Sequence, residues 1–181
     1  MTRMLLLATG LGTVLLLLGC VGGRMSTKEI RTVEHLDIQR YLGTWYEIAR
    51  FPHRFERGLV NVTATYSVRD DGKLEVLNQG YVDTKDGKKS VARGVAWVPD
   101  PAEPARLKVS FFWIFAGDYK VFALDQDNYE YAMVTSSSKR FLWILARKPA
   151  LDDSIYQQLL QKAESYGFDL SQLIKVPQDW E

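Results

Sequence analysis

The chain is short of the residues that most small secreted or catalytic proteins rely on. It has one cysteine and two histidines in 181 residues. A lone thiol cannot close an intramolecular disulfide, so no staple holds this fold. His35 and His53 are too few for a multi-histidine metal site. No GxSxG nucleophile elbow occurs, and the sole cysteine, Cys20, sits at the exit of an apolar leader rather than in a domain. These absences argue against an enzyme, and no cofactor is expected. An excess of one charge is also missing. Lysine and arginine total 23 against 22 acids, a net charge of +1, and nothing in that balance points to nucleic acid as a partner. Long apolar runs are absent outside the first twenty residues.

What is present reads as one globular domain. Hydrophobic content is 46% and charged content 25%, values typical of a packed fold. Aromatic residues make up 12%, with five Trp, nine Tyr and eight Phe, enough to fill a core or line a cavity. The leader itself has a positive start at Arg3 and an apolar stretch from Leu5 to Leu18, broken by Thr9, Gly10, Gly12 and Thr13. A membrane span needs about 20 apolar residues, so this run fits the h-region of a secretory signal. Leu17-Leu18-Gly19-Cys20 resembles the lipobox of bacterial lipoproteins. The resemblance implies cleavage before Cys20, a diacylglycerol on its thiol and a further acyl chain on the new amino terminus. Two or more chains anchor stably where one does not. By the same lipoprotein rules Val21, in place of Asp, implies the outer membrane, with the domain facing the periplasm. An ordinary cleaved signal with an incidental cysteine is the alternative. The expected divisions are a signal peptide over 1–19, a lipidated tether over 20–29 and a domain over 30–181.

The domain reads as successive strands. Val60, Val62, Ala64, Tyr66 and Val68 alternate with Asn61, Thr63, Thr65, Ser67 and Arg69, the period of a half-buried strand. Asp70-Asp71-Gly72 is a hairpin turn. Further strands are expected over 45–50, 73–81, 90–98, 106–113, 117–125, 129–135 and 140–147, with the proline-rich 99–104 as a loop. Eight short strands joined by turns predict an all-β antiparallel barrel or sandwich. Asp37 to Leu42 reads as a short helix before the first strand. After Pro149 the period changes: Ile155, Leu159, Ala163 and Tyr166 form one stripe, Asp152 and Asp153 mark a helix start, and Gly167 a stop. The strand Phe141 to Ala146 is apolar on both faces, which requires cover on both sides.

Gly43-Thr44-Trp45-Tyr46 at the first strand, eight strands, one late helix and Arg147 after the last strand resemble the lipocalin family. The stretches Tyr41 to Phe51, Arg54 to Leu59, Val62 to Ser67, Leu107 to Phe112 and Phe141 to Leu145 are similar to bacterial outer-membrane lipoprotein lipocalins, over roughly Leu36 to Val176. A departure is Trp113-Ile114-Phe115-Ala116-Gly117-Asp118-Tyr119, where close relatives carry Gly-Pro-Phe-x-Gly-Gly-Tyr. The resemblance implies an eight-stranded up-and-down barrel with a short N-terminal helix and one C-terminal α-helix. Such barrels are wide enough for one small ligand.

The resemblance also sorts the residues by role. Gly43, Trp45 and Arg147 are expected to close one end, with the Arg147 guanidinium stacked on the Trp45 indole. The cavity wall is expected from Ala64, Tyr66, Ala92, Gly94, Ala96, Leu107, Val109, Phe111, Tyr119 and Val121. Ala92, Gly94 and Ala96 are small and leave room. Arg50, Arg54 and Arg57, interleaved with Phe51 and Phe55 at the mouth, either meet a phosphate head group or pair with Glu56 or Asp118. Glu47 is an inward-pointing base or, paired with Arg or Tyr, a structural carboxylate. The implied function is binding of a fatty acid or lysophospholipid, for storage or transport of lipid in membrane maintenance. The alternatives are a carrier of another small hydrophobic ligand, and a filled barrel acting as a surface-interaction lipoprotein. A homodimer is expected to use Phe122, Leu124 and Val134 as an outward apolar face.

Overall fold

The structure, a computed structural model, describes residues 26–112 and 115–180. The leader, Cys20 and the Trp113-Ile114 pair lie outside the described residues. A four-residue helix α1 (Ile38–Tyr41), N-capped by Asp37, precedes eight strands. These are β1 (Gly43–Arg50), β2 (Leu59–Val68), β3 (Leu74–Val82), β4 (Lys89–Trp97), β5 (Arg106–Phe112), β6 (Phe115–Leu124), β7 (Tyr131–Thr135) and β8 (Leu142–Ala146). Helix α2 (Asp153–Ser165), a 3-10 turn (Leu170–Gln172) and a two-residue strand β9 (Ile174–Lys175) follow. Among the described residues no helix is long and apolar enough to cross a membrane.

Each strand pairs antiparallel with its sequence neighbour, and β1 closes the ring by pairing with both β2 and β8. The first turn shows why the local chemistry permits this. Gly72 takes φ 77, a conformation that costs glycine little, and the Arg69 amide donates to the Lys73 carbonyl at 2.8 Å.

The closure is incomplete at one seam. β1 and β2 pair only from Gly43↔Tyr66 to Tyr46↔Thr63. Beyond that point Asn61 turns to φ 49 and the β2–β3 register shifts between Val60 and Thr63. Backbone groups left there need partners, and the segment after α2 supplies them. β9 pairs with Ala49 and Arg50. The Val176 amide donates to the Ile48 carbonyl at 2.9 Å, and the Asn61 amide to the Pro177 carbonyl at 2.8 Å. Gln178 Nε2 donates to the carbonyls of Glu47 (2.8 Å) and Val62 (2.9 Å). Trp180 meets the Tyr46 ring edge-on at 5.6 Å.

Two apolar cores result, one inside the barrel and one outside it beneath α2. Asp152 caps α2 by accepting from the Ser154 and Ile155 amides, and Gly167 at φ 76 ends it while the Phe168 amide donates to the Ala163 carbonyl. The buried face is Tyr156, Leu159 and Ala163, with Ile155 and Tyr166 half-buried at its margins. That face covers Ala49, Phe122, Met133, Leu142 and Ile144. β8 is therefore covered on both sides, as its apolar sequence requires. The same packing overturns the outward apolar face assigned to Phe122, Leu124 and Val134. Phe122 stacks on Phe168 at 5.7 Å under the helix side, while Leu124 and Val134 belong to the interior core.

The N-terminal strap also packs earlier than a tether ending at residue 29 would. Ser26 bridges to Ser138, Thr27 is buried and held by Lys120 Nζ at 3.2 Å from its carbonyl, and Ile30 joins the core beneath α2. The strap then runs along the barrel wall, where the Val33 amide donates to the Val121 carbonyl at 3.0 Å, and Leu36 enters the interior core.

Candidate functional site: the barrel cavity

The barrel is not filled. It encloses a cavity of about 430 Å³, within the range that holds drug-sized or lipid ligands. The closed end is sealed by Trp45, which is fully buried. Trp45 Nε1 donates to the Tyr41 carbonyl at 2.9 Å, and its ring lies 4.8 Å from that of Tyr41. The Arg147 guanidinium covers the indole at 3.9 Å. It is held there by donating to the carbonyls of Thr44 (3.0 Å), Arg40 (2.6 Å) and Tyr129 (3.3 Å). Gly43, at φ 88, lets the strand start directly beneath that guanidinium.

Above the plug, three tyrosine hydroxyls form the floor. Tyr119 Oη lies 2.7 Å from Tyr41 Oη and 2.8 Å from Tyr66 Oη. Burial pushes Tyr66 up to about 12 and raises Tyr41 and Tyr119 well above the usual phenol range. All three therefore remain neutral, and their hydroxyls satisfy one another.

Six of the residues expected on the wall do line the cavity: Ala64, Tyr66, Ala92, Val109, Phe111 and Tyr119. The other four lie elsewhere. Ala96, Leu107 and Val121 are packed into the closed-end core below the floor. Gly94 leaves no space, because a Cβ there would meet Phe111 Cδ1 and the Ser110 carbonyl at 2.8 Å each. The volume that a side chain at Gly94 would occupy is taken by the Phe111 ring.

The mouth holds a buried charge network. Arg50, on β1, donates from Nη1 to Glu47 Oε1 at 2.5 Å and from Nη2 to the carbonyls of Glu56 (2.6 Å) and Leu59 (3.2 Å). Glu56 Oε2 accepts from Trp143 Nε1 at 3.3 Å and lies 2.7 Å from His53 Nε2, an ion-pair distance with poor in-line geometry. Burial, then the charge of Glu56, pushes the Glu47 carboxyl well above the carboxylate range despite Arg50. Burial also pushes Glu56 upward, but His53, Arg50 and the Trp143 indole outweigh it and leave its pKa lowered. Glu47 is paired with Arg50, the arrangement named for the structural one of its two expected roles.

The cavity wall is consequently acidic. Its titratable residues are Glu47, Glu56, Asp118 and His53, with no lysine or arginine, and Glu47 adds little charge because burial favours its protonated form. Arg50 stands behind the two glutamates, and Asp118 pairs with Lys108 at 2.6 Å. Arg54 and Arg57 are exposed and outside the main cavity. Arg54 lies over the Phe55 ring at 4.6 Å, and Arg57 lines a separate recess of about 140 Å³. Sequence reasoning did not assign the aromatic side of the mouth, Phe141 and Trp143, whose rings stack at 5.9 Å. Strand alternation could have found it. Trp143 and Leu145 share a face of β8 that must be inward once Leu142 and Ile144 lie under α2.

A model of the lipocalin-like domain matches residues 36–178. The chain is 49% identical over 149 residues to the outer membrane lipoprotein Blc of Escherichia coli strain K12, covering 82% of this chain and 83% of that protein. It is 42% identical over 163 residues to the outer membrane lipoprotein Blc of Vibrio cholerae serotype O1, covering 90% and 93%. Apolipoprotein D of Mus musculus is 33% identical over 153 residues, with 80% and 78% covered. Among solved structures, insecticyanin of the tobacco hornworm Manduca sexta superposes with a TM-score of 0.66 at 22% identity, over 84% of this chain and 85% of that one, a likeness of fold. With its closed eight-stranded barrel, plugged end and open cavity, the chain belongs to the lipocalin family.

Proposed function

We propose that this protein is a membrane-anchored lipid carrier that takes a single acyl chain into the barrel and prefers a lysophospholipid with an amine head group to a free fatty acid. The observation that carries the reading is the cavity itself: a deep apolar tunnel of about 430 Å³ whose charged lining is acidic. Each buried methylene contributes roughly 0.8 kcal/mol, so about a dozen give on the order of 10 kcal/mol before the costs of binding. The apolar tunnel supports a chain; the mouth supports a choice of head group. A fatty-acid carboxylate would sit beside Glu56 and Asp118 with no lysine or arginine on the wall to meet it. An ammonium group suits Glu56 and the stacked Phe141 and Trp143 rings. In such a lipid the phosphate lies between the acyl glycerol and the amine, so an ammonium turned back onto Glu56 leaves the phosphate at the rim, in the surroundings of Arg54 and Arg57. Lipidation of Cys20 would hold the carrier at the outer membrane, facing the periplasm, and would confine it to local storage or transfer of lipid.

Extraction of the purified protein followed by mass spectrometry tests the carrier. Competition between lysophosphatidylethanolamine, oleate and monoolein for a fluorescent acyl probe tests the head group. The expected order is lysophosphatidylethanolamine first, with oleate weaker. Oleate binding as tightly or more tightly removes the head-group argument. An empty extract with no probe uptake removes the carrier.

A further inference from the structure

The near-neutral total charge conceals a polar molecule. The mouth loops 51–58, 83–88 and 136–141 contain six bases and three acids, whereas the closed-end loops 69–73, 98–105, 125–130 and 147–153 contain four bases and nine acids. The mouth is also where large apolar rings stand in water. Phe115 is 74% exposed and Phe55 62% exposed, on opposite sides of the entrance, and both line the cavity opening. Isolated exposed rings need no explanation, but two rings flanking one opening, within a basic rim, form a surface with a definite chemistry. Basic residues beside apolar rings are what an anionic phospholipid interface attracts.

The course of the N-terminal strap supplies the second, independent observation. Ser26 is bridged to Ser138, and Thr27 donates its hydroxyl to the Ser136 carbonyl and its amide to the Ser137 carbonyl, all in the β7–β8 connection at the mouth. The chain preceding Ser26 therefore leaves the domain beside the opening. The six residue-to-residue steps from Cys20 to Ser26 can reach at most roughly 20 Å. A ten-residue strand such as β6 is roughly 33 Å long, so a chain attached at Cys20 brings the mouth to the bilayer more readily than the closed end.

We infer that the open mouth docks face-down on an anionic phospholipid bilayer, with Phe55 and Phe115 entering the interface and the basic rim lying on the head groups. Cargo then passes between bilayer and barrel without crossing open water. The tether argument rests on the anchored-carrier reading; the rim chemistry stands without it.

The test uses the full-length protein on vesicles of phosphatidylethanolamine and phosphatidylglycerol. An environment-sensitive fluorophore is placed at Ala116→Cys beside the mouth, or at Asp71→Cys in a closed-end turn, and the vesicles carry a nitroxide-labelled lipid. The Ala116 label is expected to shift to the blue and to be quenched at least threefold more than the Asp71 label. The double variant Phe55→Ser with Phe115→Ser should abolish that difference, and Arg54→Glu with Arg57→Glu should weaken it, with circular dichroism unchanged. Equal quenching of the two labels, or stronger quenching at Asp71, overturns the inference. A blue shift without vesicles, at twice the hydrodynamic mass, makes the rim a face between two copies and also overturns it. Mass analysis of the N-terminal peptide separates the two readings. A lipidated Cys20 with the rim label in water leaves the anchor standing and removes docking. An unlipidated Cys20 with vesicle flotation that depends on Phe55 and Phe115 does the reverse.

Discussion

Replacing Trp45 by alanine separates the plug from the ligand site. Trp45 is fully buried, stacked under Arg147 at 3.9 Å and bonded to the Tyr41 carbonyl at 2.9 Å. Removing a buried aromatic side chain costs about 3–5 kcal/mol through lost contacts and the cavity left behind. The Tyr41 carbonyl loses its indole partner, and the Arg147 guanidinium loses its stacking surface. These losses overlap, so the working figure is about 4 kcal/mol. For a domain of this size, each kcal/mol moves the melting temperature by roughly 2–4 °C, giving a fall of roughly 10 °C or more. Trp45→Phe keeps a ring beneath Arg147 but loses the N–H donor, and should cost about half as much. Trp45 does not line the cavity, and the Tyr41–Tyr66–Tyr119 floor lies between it and the ligand. Lipid affinity should therefore change by less than about threefold, or ~0.6 kcal/mol. Thermal unfolding by circular dichroism and titration with a fluorescent acyl probe, both below the melting range of the variant, give the two numbers. A tenfold loss of affinity with a melting temperature within a few degrees of the parent refutes the plug assignment.

Gly94→Ala drives a methyl into the Phe111 ring and the Ser110 carbonyl, and should cost about 2 kcal/mol in thermal unfolding; an unchanged melting temperature would show that the strand yields freely there. Ala92→Trp places an indole in the cavity, so probe binding should weaken by about tenfold or more while the melting temperature stays near the parent's; unaffected binding would place the acyl chain elsewhere. Glu56 has a lowered pKa in the folded state, so its charge stabilises the fold above the unfolded value of about 4.3 and that contribution is lost as the pH falls through the folded value. The melting temperature of the protein minus that of Glu56→Gln should be largest from pH 5 to 7 and shrink below about pH 4; a difference that grows in acid contradicts the assignment.

The eight strands were legible because β2 and β5 alternate strictly and because Asp70-Asp71-Gly72 and the prolines of 99–104 punctuate them. The late helix was legible from its caps, but its phase was read one residue off at the start: Tyr156 is buried where Ile155 was expected. An amphipathic tyrosine hides its apolar body from a hydropathy stripe. β9 was invisible, since two residues carry no period and the segment is ordered only by the gap that Asn61 opens elsewhere in the chain. The cavity wall was half legible. Alternation tells which face a residue is on, but not how far down the barrel the core fills; that depth decides between Ala92 on the wall and Ala96 in the floor. The mouth arginines were read from composition, whereas their outward direction follows from a loop whose inner positions are taken by His53 and Glu56.

The seam has a consequence for how the protein is made. Residues 174–180 supply the partners that β1 and β2 deny each other. A ribosome delivers them only after all eight barrel strands. Until then the nascent barrel carries two open strand edges, the arrangement most prone to pairing with other chains. Synthesis of this chain thus leaves a window in which a holdase has a defined object to guard: not an unfolded polypeptide, but a nearly finished barrel awaiting its latch.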